Sequence, residues 1–263
     1  MSKPVQTSRR QFLIAGSFAS LGLLWASKAS AASTLFAGKP NSKFAGVQIG
    51  AITYSFRSMP GSVEQLLQYC IDCNVSAIEL MGDAVEDFAG KPKSTLPRPA
   101  YVPGQPRPTM TDEQRAAFAK YNAEVAEWRS TVSMDKFKEV RKMYNDAGVS
   151  IYAFKPNALG PNNTDGEVEY ALKAAKALGA NSVTIELPTD TKQSQRLGDL
   201  GAKHKVYIGY HAHLQATDSA WDAALAQSPY NSMNLDCGHY IAAGGANTTA
   251  TLLALIEAKH DRI

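Results

Sequence analysis

The stretch that decides the fold is residues 151–187, which read IYAFKPNALGPNNTDGEVEYALKAAKALGANSVTIEL. The apolar run at 151–154 predicts a strand, and Thr164 with Glu167 forms the capping box of a helix. The helical pattern continues to Leu178 and stops at Gly179, and the apolar run at 183–187 predicts the next strand. A strand, a helix and a strand in this order predict a parallel βαβ unit.

The same alternation extends in both directions along the chain. Strands are predicted at 47–56, 77–81, 151–154, 183–187, 206–211 and 233–235, with helices at 111–128, 133–145, 164–178, 193–202, 219–226 and 248–259 and another that begins at Ser62. Arg262 and Ile263 are interpreted as the start of a seventh strand. We therefore predict an α/β protein, a TIM (β/α)8 barrel that is incomplete at its C-terminal end, because eight units need roughly 250 residues. A different, open α/β sheet is the alternative.

One segment interrupts this alternation. Residues 83–110 contain six prolines, which predicts a long excursion without a regular element. A loop that follows a barrel strand in this way faces the active site, so we expect a functional segment such as a lid.

The N-terminal residues predict export. The run TSRRQFL (7–13) places Arg9 and Arg10 directly before a mostly apolar segment at 12–25, as twin-arginine signals do. Ala29-Ser30-Ala31 then supplies a small-residue cleavage site. We predict a signal peptide at 1–31, a linker at 32–46 and the barrel at 47–263. The expected location is the periplasm, with the twin-arginine translocation machinery as partner and no stable membrane anchor; an uncleaved N-terminal anchor is the alternative.

The charge of the chain depends on that segment. The formal net charge is +3, and residues 1–31 carry four positive charges and no acid, which leaves −1 for the remainder. A near-neutral domain lacks the basic surface that nucleic-acid binding requires. Cys70 and Cys73 form a C-x-x-C within a helical pattern, and we interpret them as helix packing residues rather than a redox or metal pair.

Polar side chains follow four of the predicted strands, at the end where a TIM barrel carries its catalytic groups. The motifs are AFKP, IELP, YHAH and NLDCGHY, with Lys155, Glu186, His211, His213, Asp236 and His239. A carboxylate, an imidazole and a carboxylate on successive strands can share one divalent cation, and mixed N/O ligation suits Mn²⁺, Zn²⁺, Co²⁺ or Mg²⁺. Without a shared partner, each buried polar end would cost about 1–3 kcal/mol. We therefore predict a metal site formed by Glu186, His211 and Asp236.

Two further residues, Glu79 and Cys237, have less specific interpretations. Glu79 ends the strand predicted at 77–81, where it is either a substrate contact or a structural acid. Cys237 would point away from Asp236 along a strand, so we interpret it as a packing residue.

The motifs YHAH and NLDCGHY and the final residues KHDRI resemble the xylose isomerase-like TIM-barrel family of sugar isomerases and epimerases, from about Val47 onward. The resemblance implies four metal ligands, of which Asp236 matches one and two would lie beyond Ile263. For the middle strands it leaves Glu186 and His211 as candidates. It also implies that His239 holds a substrate hydroxyl and that Glu186 acts in catalysis as a base, with His239 as its catalytic partner. His213, Lys155 and Glu79 are further candidates for substrate binding.

The resemblance to this family implies a metal-dependent sugar isomerase or epimerase, in which a carboxylate removes a proton next to a metal-bound carbonyl. Because one acid would be missing, residues 1–263 are expected to be inactive alone. A keto-sugar or inosose dehydratase is an alternative function, because its reaction begins with the same proton abstraction. A periplasmic sugar-binding protein without activity is another alternative. An endonuclease of the same superfamily is disfavoured by the charge. A homo-oligomer is compatible with the sequence.

Overall fold

The structure is a computed structural model that describes residues 38–95 and 109–263. The predicted signal peptide, the first part of the predicted linker and the proline-rich middle of the excursion lie outside the described residues. Among the residues that are described, none of the helices is both long and apolar enough to cross a membrane.

Six strands form one parallel sheet in which spatial order equals chain order. They are β3 (Ala51–Ile52), β4 (Ala77–Met81), β5 (Ser150–Lys155), β6 (Ser182–Glu186), β7 (Tyr207–His211) and β8 (Asn231–Met233). Sequential order is that of a TIM barrel, whereas doubly wound sheets reverse direction at a switch point. The predicted α/β barrel architecture is therefore confirmed. In the part of the chain that is described, β3 and β8 do not pair with each other, so the barrel is open.

Helices connect the strands, and seven of the nine described ones overlap a predicted helix. They are α1 (Val63–Asp72), α2 (Gly82–Phe88), α3 (Asp112–Thr131), α4 (Asp135–Ala147), α5 (Asp165–Leu178), α6 (Thr191–His204), α7 (Asp222–Gln227), α8 (Cys237–Ala242) and α9 (Thr249–Lys259). The capping boxes predicted at Ser62 and Thr164 are both formed. Gly179 ends α5 with φ +83°, a left-handed conformation that glycine adopts without strain.

The strand predicted at 47–56 is wrong in extent. Two short strands, β1 (Lys43–Phe44) and β2 (Val47–Gln48), form an antiparallel hairpin, so the end of the predicted linker is structured. The parallel strand β3 comprises only two residues, and a 3-10 turn follows at Thr53–Phe56. The sheet pairing ends there because the backbone N–H of Met81 donates to the side chain of Thr53 instead of to a strand carbonyl.

Three further expectations need correction. The excursion begins with a regular element, α2, which buries Glu86 completely. The strand predicted at 233–235 lies two residues earlier, and α8 follows it. Arg262 lies in a 3-10 turn rather than in a strand, because its guanidinium donates to three backbone carbonyls around β8, those of Leu225, Ser228 and Asn231.

The core lies between the sheet and the helices. Phe137, Tyr144 and Leu172 are fully buried there, and the Tyr144 hydroxyl donates to the carbonyl of Val63 at 2.7 Å. Cys70 is buried in the same core, as predicted, and burial raises the pKa of its thiol to about 12. The packing role predicted for Cys73 is wrong, because this residue follows the last turn of α1 and is exposed. A thiol such as that of Cys70, which stays protonated at neutral pH, is a packing group rather than a nucleophile.

A buried ion cluster joins α2, α3 and α5, and consists of Glu86, Lys91, Arg129 and Glu167. Arg129 lies 2.9 Å from Glu167 and 3.5 Å from Glu86, and Lys91 lies 3.0 Å from Glu86. Arg129 also donates to the backbone carbonyl of Asn157 at 3.1 Å. The cluster therefore fixes the loop that follows β5 to two helices.

We expect Arg129→Ala to destabilise the fold by about 3–5 kcal/mol, because it leaves the carboxylates of Glu86 and Glu167 without their shared cation. Lys142→Ala is the control, since its ion pair with Asp146 is exposed and is worth under about 1 kcal/mol. Urea unfolding followed by circular dichroism measures both. Equal losses in the two variants would contradict a stabilising role for the cluster.

Candidate metal centre

Two neighbouring strands bring the first residues of the site together. In the parallel pair β6 and β7, Glu186 is the register partner of His211, so both side chains leave the sheet at the same edge. His213 follows two residues later, in the bend after β7. The His211 and His213 rings meet edge to face, with centroids 4.6 Å apart.

A helix terminus positions the remaining two residues. Asp236 is the N-cap of α8, and its Oδ1 accepts a hydrogen bond from the backbone N–H of His239 at 2.8 Å. This bond orients the carboxylate, and Oδ2 faces His211 Nε2 at 3.5 Å and His239 Nε2 at 3.9 Å. The cap therefore fixes a carboxylate that would otherwise rotate freely.

His211 lies at the centre of the group. Its Nδ1 is 2.8 Å from Glu186 Oε2, and its Nε2 faces Asp236. His213 Nε2 lies 3.1 Å from the same Glu186 oxygen. Glu186, His211, His213, Asp236 and His239 are called the candidate site below.

The donor set fits a divalent cation. One nitrogen from each of His211, His213 and His239 lies within 4.8 Å of the others, and two carboxylates flank them. The predicted ligands Glu186, His211 and Asp236 and the three-histidine group share only His211. The two sets describe one location, and both offer the mixed N/O ligation of Zn²⁺, Co²⁺ or Mn²⁺ sites.

Electrostatics keep both carboxylates ionised. Partial burial raises the pKa of Glu186, but hydrogen bonds with His211 and Lys155 outweigh burial, and the pKa lies below its usual range. Burial likewise raises the pKa of Asp236, and the His239 backbone N–H and His211 lower it further than burial raises it. Both side chains are therefore in the form that binds a cation.

The candidate site opens into a cavity of about 710 Å³. Lys155 lies at its edge, with Nζ 3.0 Å from Glu186 Oε1. Glu79 lies deeper, is buried, and accepts a hydrogen bond from Thr184 at 2.5 Å. It is hydrogen-bonded within the sheet and also lines the cavity, so both interpretations of this residue stay predictions. A larger cavity of about 890 Å³ lies over the buried ion cluster and contains none of the predicted site residues.

The structure brings the predicted site residues into one cavity, but their roles stay predictions. The interpretation of Cys237 as a packing residue is wrong: it is exposed and lines the cavity, because α8 replaces the expected strand and its alternation. Sequence reasoning missed three polar cavity residues, Tyr54, Tyr152 and Asn234. Asn234 is the first residue of the NLDCGHY motif, so its position in that motif could have indicated a place in the cavity. No sequence motif marks the two tyrosines.

No protein-family model matches the sequence, and no curated protein matches it either. Among solved structures, the chain is similar to an uncharacterised protein from Parabacteroides distasonis, with 16% identity and a TM-score of 0.51 over 82% of this chain and 72% of that one. It is also similar to the probable 3-DHS dehydratase AsbF, involved in petrobactin synthesis, from Bacillus anthracis, with 14% identity and a TM-score of 0.52 over 82% and 71%.

A third solved structure, a sugar phosphate isomerase/epimerase from Parabacteroides distasonis, has 17% identity and a TM-score of 0.49 over 85% of this chain and 75% of that one. At such identities the first two likenesses show a shared α/β fold. Residue roles in this chain therefore depend on its own geometry.

The geometry predicts that His211→Ala weakens Zn²⁺ binding by at least about 10–100-fold, the loss that even outer-shell partners of a metal typically cause. His211 contacts both carboxylates, so its removal separates them. The measurement is calorimetric titration of the full chain with ZnCl₂. His260→Ala is the control, since His260 is an exposed histidine outside the cavity; equal binding by both variants would rule out a centre at His211.

Proposed function

We propose that this protein is a metal-dependent sugar isomerase or epimerase. The observation that carries the proposal is the arrangement Glu186–His211–Asp236, with two more histidines, at the carboxyl ends of three neighbouring parallel strands. Catalytic groups of TIM-barrel enzymes occupy this edge. An ionised carboxylate beside a candidate cation site, in a cavity large enough for a small molecule, suits proton abstraction from a carbon acid.

The donor set also narrows the choice of cation. Imidazole nitrogens favour Zn²⁺, Co²⁺ or Mn²⁺ over Mg²⁺, which prefers an all-oxygen shell. Of the predicted ligands Glu186, His211 and Asp236, His211 would hold the ion together with one of the two carboxylates, because the carboxylates face opposite nitrogens of its ring. His213 or His239 would be a further ligand. A bound cation would supply Lewis-acid stabilisation of the negative charge that develops on a sugar oxygen.

The side chains of the cavity have distinct proposed roles. Glu186 is the base, because hydrogen bonds keep it ionised and it lies at the mouth of the cavity. His213 and His239 are half-exposed and lie where sugar hydroxyls would enter, with ring centroids 4.4 Å apart. Lys155 and Glu79 extend this polar lining. An unphosphorylated sugar is the proposed substrate, since Lys155 is the single Lys or Arg among the described residues of the cavity wall.

A dehydratase acting on a keto-sugar or inosose is the second candidate. The observation that favours it is the shared fold with a protein named as a probable 3-DHS dehydratase. Both reactions begin with removal of a proton beside a carbonyl, and they diverge only when the intermediate is reprotonated or loses water. A sugar-binding protein without activity would instead bind sugars in the absence of metal.

Solvent hydrogen exchange tests the proposal, because one base can remove a proton from carbon and return a deuteron to the same face. Epimerisation also needs a second group that protonates the opposite face. The full chain loaded with Zn²⁺ should exchange carbon-bound hydrogens of D-fructose or D-xylulose with D₂O, measured by proton NMR. Glu186→Gln should slow exchange by about 100-fold or more per bound metal. Glu139→Gln, an exposed glutamate on α4, is the control.

Three results would count against this function. Exchange that survives Glu186→Gln or EDTA would assign the chemistry elsewhere. Sugar binding that survives EDTA without any exchange would favour the binding protein, and release of water from the ketose would favour the dehydratase.

We also propose that the chain is exported to the periplasm by the twin-arginine route, on the strength of Arg9, Arg10 and the cleavage site before Ala32. Changing both arginines to lysine should leave uncleaved precursor in the cytoplasm, because the export machinery reads the arginine pair. Fractionation and N-terminal sequencing measure this outcome, with Lys3→Arg as the control. Periplasmic protein that begins at Ala32 in the double variant would contradict the proposal.

A further inference from the structure

We propose that Lys155 neutralises the Glu186 carboxylate when no cation is bound, and that cation binding at the other carboxylate oxygen releases the Lys155 ammonium group into the cavity. This inference rests on the proposed metal-dependent function. It assigns to Lys155 a part in metal binding, in addition to its expected contact with the substrate.

The two oxygens of Glu186 have different partners. Oε1 lies 3.0 Å from Lys155 Nζ, while Oε2 faces His211 at 2.8 Å and His213 at 3.1 Å. A cation held by Oε2 and the histidines would therefore share one carboxylate with an ammonium group. Two positive charges this close repel each other, and the repulsion is only partly screened because the Lys155 side chain is 23% exposed.

The backbone of Lys155 is fixed, so the side chain must move. Lys155 is the register partner of Met81 in the sheet. A Cβ at Gly82 would lie 3.3 Å from the Lys155 carbonyl oxygen and 3.1 Å from the Cα of Pro156, which shows how closely the two strand ends pack. Two residues later, Arg129 holds the Asn157 carbonyl. The flexible four-carbon stem of lysine is the part that can swing away.

The charge balance of the candidate site explains how Lys155 would affect cation binding. The candidate site contains two ionised carboxylates, and Lys155 neutralises one of them in the metal-free protein. Lys155 therefore stabilises the metal-free state and weakens cation binding. Once released, its ammonium group stays within the same cavity, where it can bind a sugar oxygen.

Calorimetric titration of the full chain with ZnCl₂ and MnCl₂ tests the inference. Lys155→Met should bind the metal at least tenfold more tightly than the wild type, and Lys155→Arg, which keeps the charge, should bind like the wild type. Lys203→Met is the matched control, because Lys203 forms a lysine–glutamate pair with Glu169 outside the cavity. Its affinity for the metal should not change.

The outcomes separate this inference from the proposed function. If the wild type binds the metal and Lys155→Met binds it equally or more weakly, the proposed role of Lys155 is overturned and the metal site stands. Absence of binding by the wild type and Lys155→Met alike overturns the proposed function and this inference together. Circular dichroism checks folding, and Lys155→Gln provides the same readout if the methionine variant does not fold.

Discussion

The register of β6 against β7 is the constraint on which the candidate site depends. Parallel pairing places Glu186 directly beside His211, and every other contact of the site is built on that pair. A shift by one residue would send His211 to the opposite face of the sheet, because side chains alternate along a strand. The parallel ladder joins the two strands over five register pairs, and its hydrogen bonds oppose such a shift. The polar edge is therefore a consequence of backbone pairing and not of attraction between the polar groups.

Two carboxylates at one edge of the sheet repel each other, and neighbouring groups offset this repulsion. Lys155 neutralises one oxygen of Glu186, and the first turn of α8 donates a backbone N–H to Asp236. The buried ion cluster fixes the loop after β5, where Lys155 is the last strand residue. Elements outside the cavity thus help to determine the charge inside it.

Much of the architecture could be predicted from the sequence. The apolar runs and capping boxes located every strand of the parallel sheet and most of the helices, since local hydrogen bonds and periodic burial determine those elements. The errors occur where a tertiary contact overrides the local pattern. Arg262 binds three carbonyls and forms a turn, and Thr53 replaces a strand partner of Met81. The helix α2 follows from burial of Glu86 against Arg129, a residue 43 positions away in sequence.

The sequence by itself determined the residue types of the site and the strands that carry them. Glu186, His211 and Asp236 follow successive apolar runs, and parallel strands must place their carboxyl ends on one edge. Only the tertiary structure decided that His213 and His239 place ring nitrogens beside that of His211, that Cys237 lines the cavity, and that Lys155 contacts Glu186. These contacts depend on distances between side chains of different elements, which helix α8 and the sheet register fix and which no local pattern encodes.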